Sequence, residues 1–176
     1  MFKICKIINF RLTNYLHSDI IVSKIFLKRR LLLPMYIALI ADDHKKELMA
    51  QFCIAYCNIL SKHHLCATNT TGSYVSDATG LEIETFLPGS TGGMDQITSR
   101  VSYNEIDLVF CFRSTDPTVP PYESELNLLR QCDVYNIPVA TNIATAEVLV
   151  TALEAGTFDW RKYVNPISDY MKSKKK

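Results

Sequence analysis

Short apolar segments alternate with helical patterns from residue 36 onwards, and this alternation constrains the fold more than any other feature. The apolar segments predict five strands, at residues 36–41, 65–68, 82–87, 106–112 and 137–141. Helices are predicted at 43–62, from a turn at 69–72 to Gly80, and at 95–103, 123–135 and 144–155. Runs of consecutive apolar residues are typical of strands buried on both faces. The chain is therefore predicted to be an α/β domain with a doubly wound, flavodoxin-like or Rossmann-like sheet of five parallel strands and helices on both faces.

Length and composition are those of one ordinary globular domain. The chain has 176 residues, of which 48% are hydrophobic and 21% charged, which excludes a disordered or collagen-like chain. Six cysteines are too irregularly spaced for a disulfide scaffold, and they are interpreted as free thiols in a reducing, cytoplasmic compartment. They are Cys5, Cys53, Cys57, Cys66, Cys111 and Cys132. Cys53 and Cys57 share a helical face, but no second pair completes a zinc site.

Residues 1–34 form a basic leader that differs in charge from the rest of the chain. They contain seven basic side chains and one acid, so the net charge of +1 leaves −5 for the remainder. An acidic domain is poorly suited to binding nucleic acid through a basic surface. No apolar stretch is long enough to span a membrane, and a clear signal peptide is absent.

Two interpretations of the leader stay open. One is an amphipathic segment for a membrane surface or for targeting. The other, which we favour, is that translation starts at Met35 and that the leader is not part of the fold. The domain is then predicted at residues 35–168, followed by a basic tail at 169–176 that ends in a frayed, solvated segment from Lys172.

Polar and glycine-rich clusters follow all five predicted strands. Ligands bind outside the carboxyl ends of parallel strands, so five clusters at one edge of a sheet predict a binding site there. The clusters contain Asp42, Asp43, His44 and Lys46; Thr68, Thr70, Thr71 and Gly72; Gly89, Gly92, Gly93 and Asp95; Arg113–Asp116; and Thr141, Asn142 and Thr145.

The segment 68–72, TNTTG, places hydroxyls and backbone N–H groups at the start of a helix. N–H groups and the helix dipole both favour an anion, so the segment is a candidate phosphate site to which Lys46 would add a positive charge. Ordinary capping of the helix by threonine is the simpler alternative. Similarly, Asp42 and Asp43 are candidates for binding Mg²⁺ or for capping alone.

The segment 88–96, PGSTGGMDQ, is more specific. Its glycines allow the backbone to approach a ligand closely, and Asp95 follows as a candidate base at a helix start. It is neither a Walker loop nor a dinucleotide-binding fingerprint. The chain also contains no nucleophile elbow.

Four motifs together resemble the methylglyoxal synthase family. They are ADDHKK at residues 41–46, ATNTTG at 67–72, PGSTGGMDQ at 88–96 and IPVATNIATA at 137–146, within a match from about residue 36 to 166. The resemblance implies that dihydroxyacetone phosphate is converted to methylglyoxal, with elimination of inorganic phosphate through an enediol. It also implies that the enzyme uses no metal or organic cofactor and forms homohexamers that phosphate inhibits.

The resemblance also implies a role for each matching residue. Lys46, Thr68, Thr70, Thr71 and Gly89 match positions that hold the phosphate, and Asp42, Gly92 and Gly93 are assigned to the substrate site with them. The helix after Gly93 carries the family's catalytic acid, for which Asp95 is the candidate.

The chain departs from the family pattern at several site positions. Asp42 replaces the first histidine of the family's His-Asp-His motif, and Ser114-Thr115 replace its Asp-Pro unless Asp116-Pro117 restore it. The segment PPYES at 120–124 lacks a further histidine and aspartate. The usual Gly-Gly-Asp is Gly92-Gly93-Met94-Asp95 in this chain, which moves the acid by one position, or about 100° around a helix. Either Met94 occupies the catalytic position or the loop absorbs the additional residue.

Three functions follow in order of preference. The first is methylglyoxal synthase. The second is a phosphate-ester-binding or regulatory protein of the same fold with little turnover, and the third is a structural subunit that acts on an active copy. The direction of the Asp95 side chain discriminates between the first two.

Overall fold

A computed structural model describes residues 33–118, 120 and 122–174. The interpretations of the leader therefore concern residues that lie almost entirely outside the described part. All five predicted strands are present: β1 (Tyr36–Ala41), β2 (His64–Ala67), β3 (Ile83–Thr85), β4 (Leu108–Phe112) and β5 (Val139–Ala140). They form one parallel sheet in the order β3-β2-β1-β4-β5, which confirms the predicted fold class. The order reverses between β1 and β4, and this is where a doubly wound sheet leaves a crevice for a ligand.

Seven α-helices surround the sheet within the described residues. They are α1 (Lys46–Ala55), α2 (Cys57–Leu60), α3 (Asn69–Thr79), α4 (Gly93–Ser102), α5 (Glu123–Tyr135), α6 (Ile143–Glu154) and α7 (Asp169–Lys174). Short 3₁₀ turns lie at Asp43–Lys45, Gly89–Thr91 and Asp159–Tyr163.

The alternation of side chains along the strands produces two hydrophobic cores, one on each face of the sheet. On one face, Leu39 and Phe110 pack with Phe52 of α1 and Val150 of α6. On the other face, strand residues such as Ile40 pack with α4 and α5. Because both faces are buried, consecutive strand residues must be apolar, which explains the runs in the sequence.

Four predicted elements are clearly shorter than expected, among them the third strand, which is limited to Ile83–Thr85. The helix predicted at 43–62 is divided, because Tyr56 leaves helical geometry at φ −111° and ψ 20°. The fourth strand starts at Leu108 because Asp107 uses its carboxylate to accept the Tyr36 N–H at 2.9 Å. In β5, Pro138 has no N–H to donate to the sheet, although its carbonyl still accepts from Val109.

Arg161 connects the C-terminal part of the described chain to the amino ends of the strands. Its guanidinium is buried and donates to Asp107 Oδ1 (3.3 Å), Asn104 Oδ1 (2.7 Å) and the Ile106 carbonyl (2.8 Å). Burial raises the pKa of Asp107 and lowers that of Arg161, although each partner's charge opposes the shift of the other. These contacts lie at the amino ends of the strands, opposite the crevice.

The end predicted to be frayed and solvated from Lys172 is exposed but helical up to Lys174. Asp169–Lys174 form α7, and Lys172 Nζ donates to the Tyr36 hydroxyl at 3.1 Å. Ser168 begins this helix by accepting the Met171 N–H on its Oγ. Lys175 and Lys176 lie outside the described residues.

The five cysteines of the described residues are free thiols, as predicted, and all but Cys57 are buried. Burial raises the pKa of Cys53 to about 12, so it stays protonated and behaves as a small apolar side chain. None of the helices described has the length and apolarity that a membrane span requires.

Candidate active site

A cavity of about 340 Å³ opens at the carboxyl ends of the strands, where the strand order reverses. Its polar lining comes from four of the five predicted clusters. The lining side chains and backbone that the site uses are Asp42, Asp43, Lys46, Thr68, Thr70, Gly89, Ser90, Met94, Arg113 and Glu125. The fifth cluster is not part of this lining, because Asn142 caps α6 by accepting the Thr145 N–H at 3.0 Å.

Asp42 follows β1, and its position is fixed from two sides. Its backbone N–H donates to the carbonyl of Phe112 at the end of β4 (2.9 Å). Its Oδ1 accepts the His44 N–H at 3.0 Å and lies 3.2 Å from His44 Nδ1. No described residue donates to Oδ2, and the side chain is 19% exposed. Asp42 therefore presents one carboxylate oxygen without a hydrogen-bond partner at the cavity.

Lys46, in the first turn of α1, supplies a positive charge to the same part of the cavity. Its Nζ donates to Asp43 Oδ1 at 2.6 Å, and this contact keeps the pKa of Asp43 below its ordinary value. The Asp43 side chain is 84% exposed, whereas that of Lys46 is only 17% exposed. An anion entering the cavity can therefore replace the solvated Asp43 carboxylate as the partner of Lys46.

The start of α3 has the unpaired donors that an anion site needs. The simpler interpretation, threonine capping, is not what the structure has, since Thr68 makes no side-chain hydrogen bond to the helix backbone. Instead, Thr68 Oγ1 donates to Thr71 Oγ1 at 3.2 Å. Among described residues, the backbone N–H groups of Thr70 and Thr71 find no acceptor. Of the two residues, Thr70 lines the cavity, so its N–H is placed to bind an anion at the positive end of the helix dipole.

Thr71 belongs to this arrangement without lining the cavity. Its side chain is fully buried, and its Oγ1 lies 3.5 Å from the Ala41 carbonyl at the end of β1. The predicted direct contact of its hydroxyl with a ligand is therefore not present in this geometry. Its hydroxyl instead holds Thr68 beside β1.

The glycine-rich segment contributes Gly89 and Ser90 to the lining, whereas Gly92 and Gly93 shape the backbone behind it. Gly92 adopts φ +99°, a left-handed conformation that favours glycine, and precedes α4. A Cβ on Gly93 would overlap the carbonyl oxygen of Leu87. The Gly93 N–H donates to the Pro88 carbonyl at 3.0 Å and is not available to a ligand. These two glycines therefore determine the geometry of the loop, and their contacts with a substrate stay a prediction.

Met94 lines the cavity, and Asp95 does not. Asp95 is exposed and borders a separate cleft between α4 and α5, together with Arg130. The loop does not absorb the additional residue, because α4 begins at Gly93 and includes both side chains in its first turn. One position along a helix is a rotation of about 100°. The structure thus does not bring the predicted catalytic acid Asp95 to the cavity.

Arg113 and Glu125 form the wall of the cavity that follows β4. Arg113 Nε donates to Glu125 Oε1 in an ion pair that is mostly shielded from solvent. Sequence reasoning placed Arg113 in a cluster without a role and did not identify Glu125. The pair is separated by twelve residues, and an Arg–Glu pair at that spacing has no local signature.

The arrangement as a whole can bind an anion and accept a proton. Lys46, the unpaired N–H of Thr70 and the segment at Gly89 lie at one end, and Asp42 offers a carboxylate oxygen beside it. No group of three or more side chains in the described part is placed to hold a metal ion.

The comparisons with known proteins agree on one family. The model of the MGS-like domain family matches residues 49–141. The methylglyoxal synthase of Caldicellulosiruptor saccharolyticus is 58% identical over 143 residues, which cover 80% of this chain and all of that protein. The methylglyoxal synthase of Listeria welshimeri is 52% identical over 129 residues, covering 72% of this chain and 95% of that protein.

A solved structure has the same fold. The crystal structure of methylglyoxal synthase from Elizabethkingia anophelis matches with a TM-score of 0.61 and 32% sequence identity. The match covers 68% of this chain and 80% of that one.

Proposed function

The chain belongs to the methylglyoxal synthase family and is a lyase of that family, and on this premise we propose that it converts dihydroxyacetone phosphate to methylglyoxal and inorganic phosphate. One observation carries the proposal. A single cavity combines a cation and an unpaired backbone N–H for a phosphate with a carboxylate for proton transfer. The domain at 35–168 would carry the activity.

The phosphate binds between Lys46, the start of α3 and Gly89. The unpaired N–H of Thr70 belongs to a residue that lines this region, and Thr68 is held there by Thr71. A doubly charged phosphate competes successfully with the exposed Asp43 for Lys46, because that ion pair is largely solvated.

Asp42 removes the proton. It follows β1, the strand beside β2, so its carboxylate lies next to the phosphate site. Its unpaired Oδ2 takes a proton from the carbon beside the carbonyl, which gives an enediolate. The hydroxyl proton of the enediolate moves to the former carbonyl oxygen, and the electron pair left on the hydroxyl oxygen forms the aldehyde and expels phosphate as the C–O bond breaks. The proton held by Asp42 goes to the leaving phosphate, and the released enol tautomerises to methylglyoxal. Asp43 is a weaker candidate base because Lys46 lowers its pKa. The resemblance assigns this step to Asp95, which would first have to move into the cavity.

Lys46→Met tests the proposed function. In the full chain, we expect this variant to raise KM for dihydroxyacetone phosphate by about 10- to 100-fold, the effect of one lost charge-assisted hydrogen bond. Lys45→Met is the matched control, because Lys45 precedes Lys46 but does not line the cavity. The measurement is methylglyoxal formed with time. Equal KM values for the two variants would contradict the placement of the phosphate.

Binding of a phosphate ester with little turnover is a second candidate function, favoured by one observation. Met94 lines the cavity where the resemblance puts an acid, and a thioether cannot accept a proton from carbon. If the full chain binds dihydroxyacetone phosphate but forms no methylglyoxal, the second candidate is correct and the first is wrong.

We further propose that the chain acts as a cytoplasmic homohexamer. Several large apolar side chains are exposed on the described surface, among them Val148 (66%) and Val134 (59%), and subunit contacts would bury such residues. The free cysteines suit a reducing compartment. Size-exclusion chromatography with light scattering on the cytoplasmic fraction is expected to give six chains of 20.0 kDa. A monomer in solution would contradict the proposed hexamer. Recovery of the protein in another cell fraction would contradict the proposed cytoplasmic location.

A further inference from the structure

Two basic side chains line the cavity among the residues described, and the proposed phosphate site uses only one of them. Lys46 serves the phosphate, whereas Arg113 follows β4 on the other side of Asp42. Resting on the proposed function, we propose that Arg113 is a further catalytic residue that binds the enediolate oxygen, and that Glu125 positions it.

The strand order separates the two cations. Thr68 follows β2, Asp42 follows β1 and Arg113 follows β4, and these strands are adjacent in that order. Neighbouring strands lie about 4.8 Å apart, so the ends of β2 and β4 are separated by about 10 Å. A ligand with its phosphate at the start of α3 therefore extends its carbon end past Asp42 towards Arg113.

The guanidinium of Arg113 retains donors for this contact. Arginine has five N–H groups in a planar arrangement, and Glu125 uses the one on Nε. No side chain or carbonyl in the described ranges accepts from Nη1 or Nη2. Glu125 is 12% exposed at its side chain, so it fixes the plane of the guanidinium from the protein side. The free edge of Arg113 then borders the cavity, which both residues line.

Charge development in the reaction explains why a second cation is useful. Proton removal by Asp42 puts a new negative charge on the former carbonyl oxygen, which is on the middle carbon of the substrate and beyond the phosphate that Lys46 binds. Donors already fixed near the place where charge develops lower the barrier without reorganisation. Arg113 is the side chain of the described cavity that meets this requirement.

The test compares two ligands in calorimetric titrations of the full chain. Inorganic phosphate occupies only the phosphate site, whereas phosphoglycolate adds a planar carboxylate that resembles the enediolate. We expect Arg113→Met to weaken phosphoglycolate binding by about 10- to 100-fold and to leave phosphate binding within about twofold. Arg130→Met is the matched control, because Arg130 is exposed and lines a different cleft.

A second variant separates binding from folding. Arg113→Met leaves Glu125 without its cation in a shielded position, which can destabilise the domain. The double variant Arg113→Met/Glu125→Gln removes both charges and is expected to show the same selective loss of phosphoglycolate affinity. Arg113→Lys, with its charge kept but its planar group lost, should recover part of that affinity.

Each result has one meaning. Equal losses of affinity for phosphate and phosphoglycolate would overturn the inference, because they would place Arg113 at the phosphate. No loss of affinity for either ligand would also overturn it, because Arg113 would then have only a structural role. If the unsubstituted chain binds neither ligand, the proposed function fails as well. If it binds both selectively but forms no methylglyoxal, only the proposed turnover fails.

Discussion

Asp42→Asn is expected to lower kcat for methylglyoxal formation by about 10²- to 10⁴-fold, the usual effect of losing a general base. Asparagine has nearly the same shape, and its side-chain oxygen can still accept the His44 N–H that Asp42 accepts at 3.0 Å. The fold and the binding of phosphate should therefore be retained. The loss would follow from the missing proton acceptor alone.

Asp95→Asn is the matched control for this experiment, because it makes the same chemical change outside the cavity. We expect its kcat to stay within about threefold of the unsubstituted value, because Asp95 is exposed and lies outside the cavity. The measurement is kcat from dihydroxyacetone phosphate for both variants. If Asp95→Asn loses activity and Asp42→Asn retains it, α4 supplies the base after rearranging around the substrate. If both retain it, Asp43 or Glu125 becomes the candidate.

Arg161→Met is expected to lower the free energy of unfolding by about 3–5 kcal/mol, because it leaves a buried carboxylate without its cation. Arg161 is 1% exposed and donates to Asp107, Asn104 and the Ile106 carbonyl. Its loss removes the countercharge of Asp107 and leaves these acceptors without their donor. Equilibrium unfolding in urea measures the effect.

A double variant shows whether the buried charge causes this loss. Arg161→Met/Asp107→Asn removes the uncompensated charge, and its asparagine still offers an oxygen to the Tyr36 N–H that Asp107 accepts at 2.9 Å. We expect it to recover part of the stability lost by Arg161→Met. A double variant that is less stable than the single one would instead show that packing around Arg161 dominates.

The architecture was predictable because its cause is local. Burial on both faces makes each strand a run of apolar residues, and the helix predicted at 123–135 coincides with α5. The meeting of the first four clusters was predictable for a similar reason, since parallel strands place their carboxyl ends at one edge. Sequence motifs therefore identified Lys46, Thr68 and Gly89 as members of one site.

The rest of the site depends on rotation and on distant contacts. Asp95 and Met94 are neighbours in sequence, yet the start of α4 at Gly93 directs only Met94 to the cavity. The Arg113–Glu125 pair spans twelve residues, and Arg161 meets Asp107 across fifty-four. No periodicity or composition encodes such pairs. These pairs can be identified only in the folded structure, where distant segments of the chain come into contact.

The contact between Arg161 and Asp107 also orders events during synthesis. The ribosome adds Arg161 fifty-four residues after Asp107. Until then, a nascent chain that already contains β1 and β4 has no countercharge for the carboxylate beneath them. We therefore expect this carboxylate to be buried in its charged form only after the segment that carries Arg161 has emerged from the ribosome.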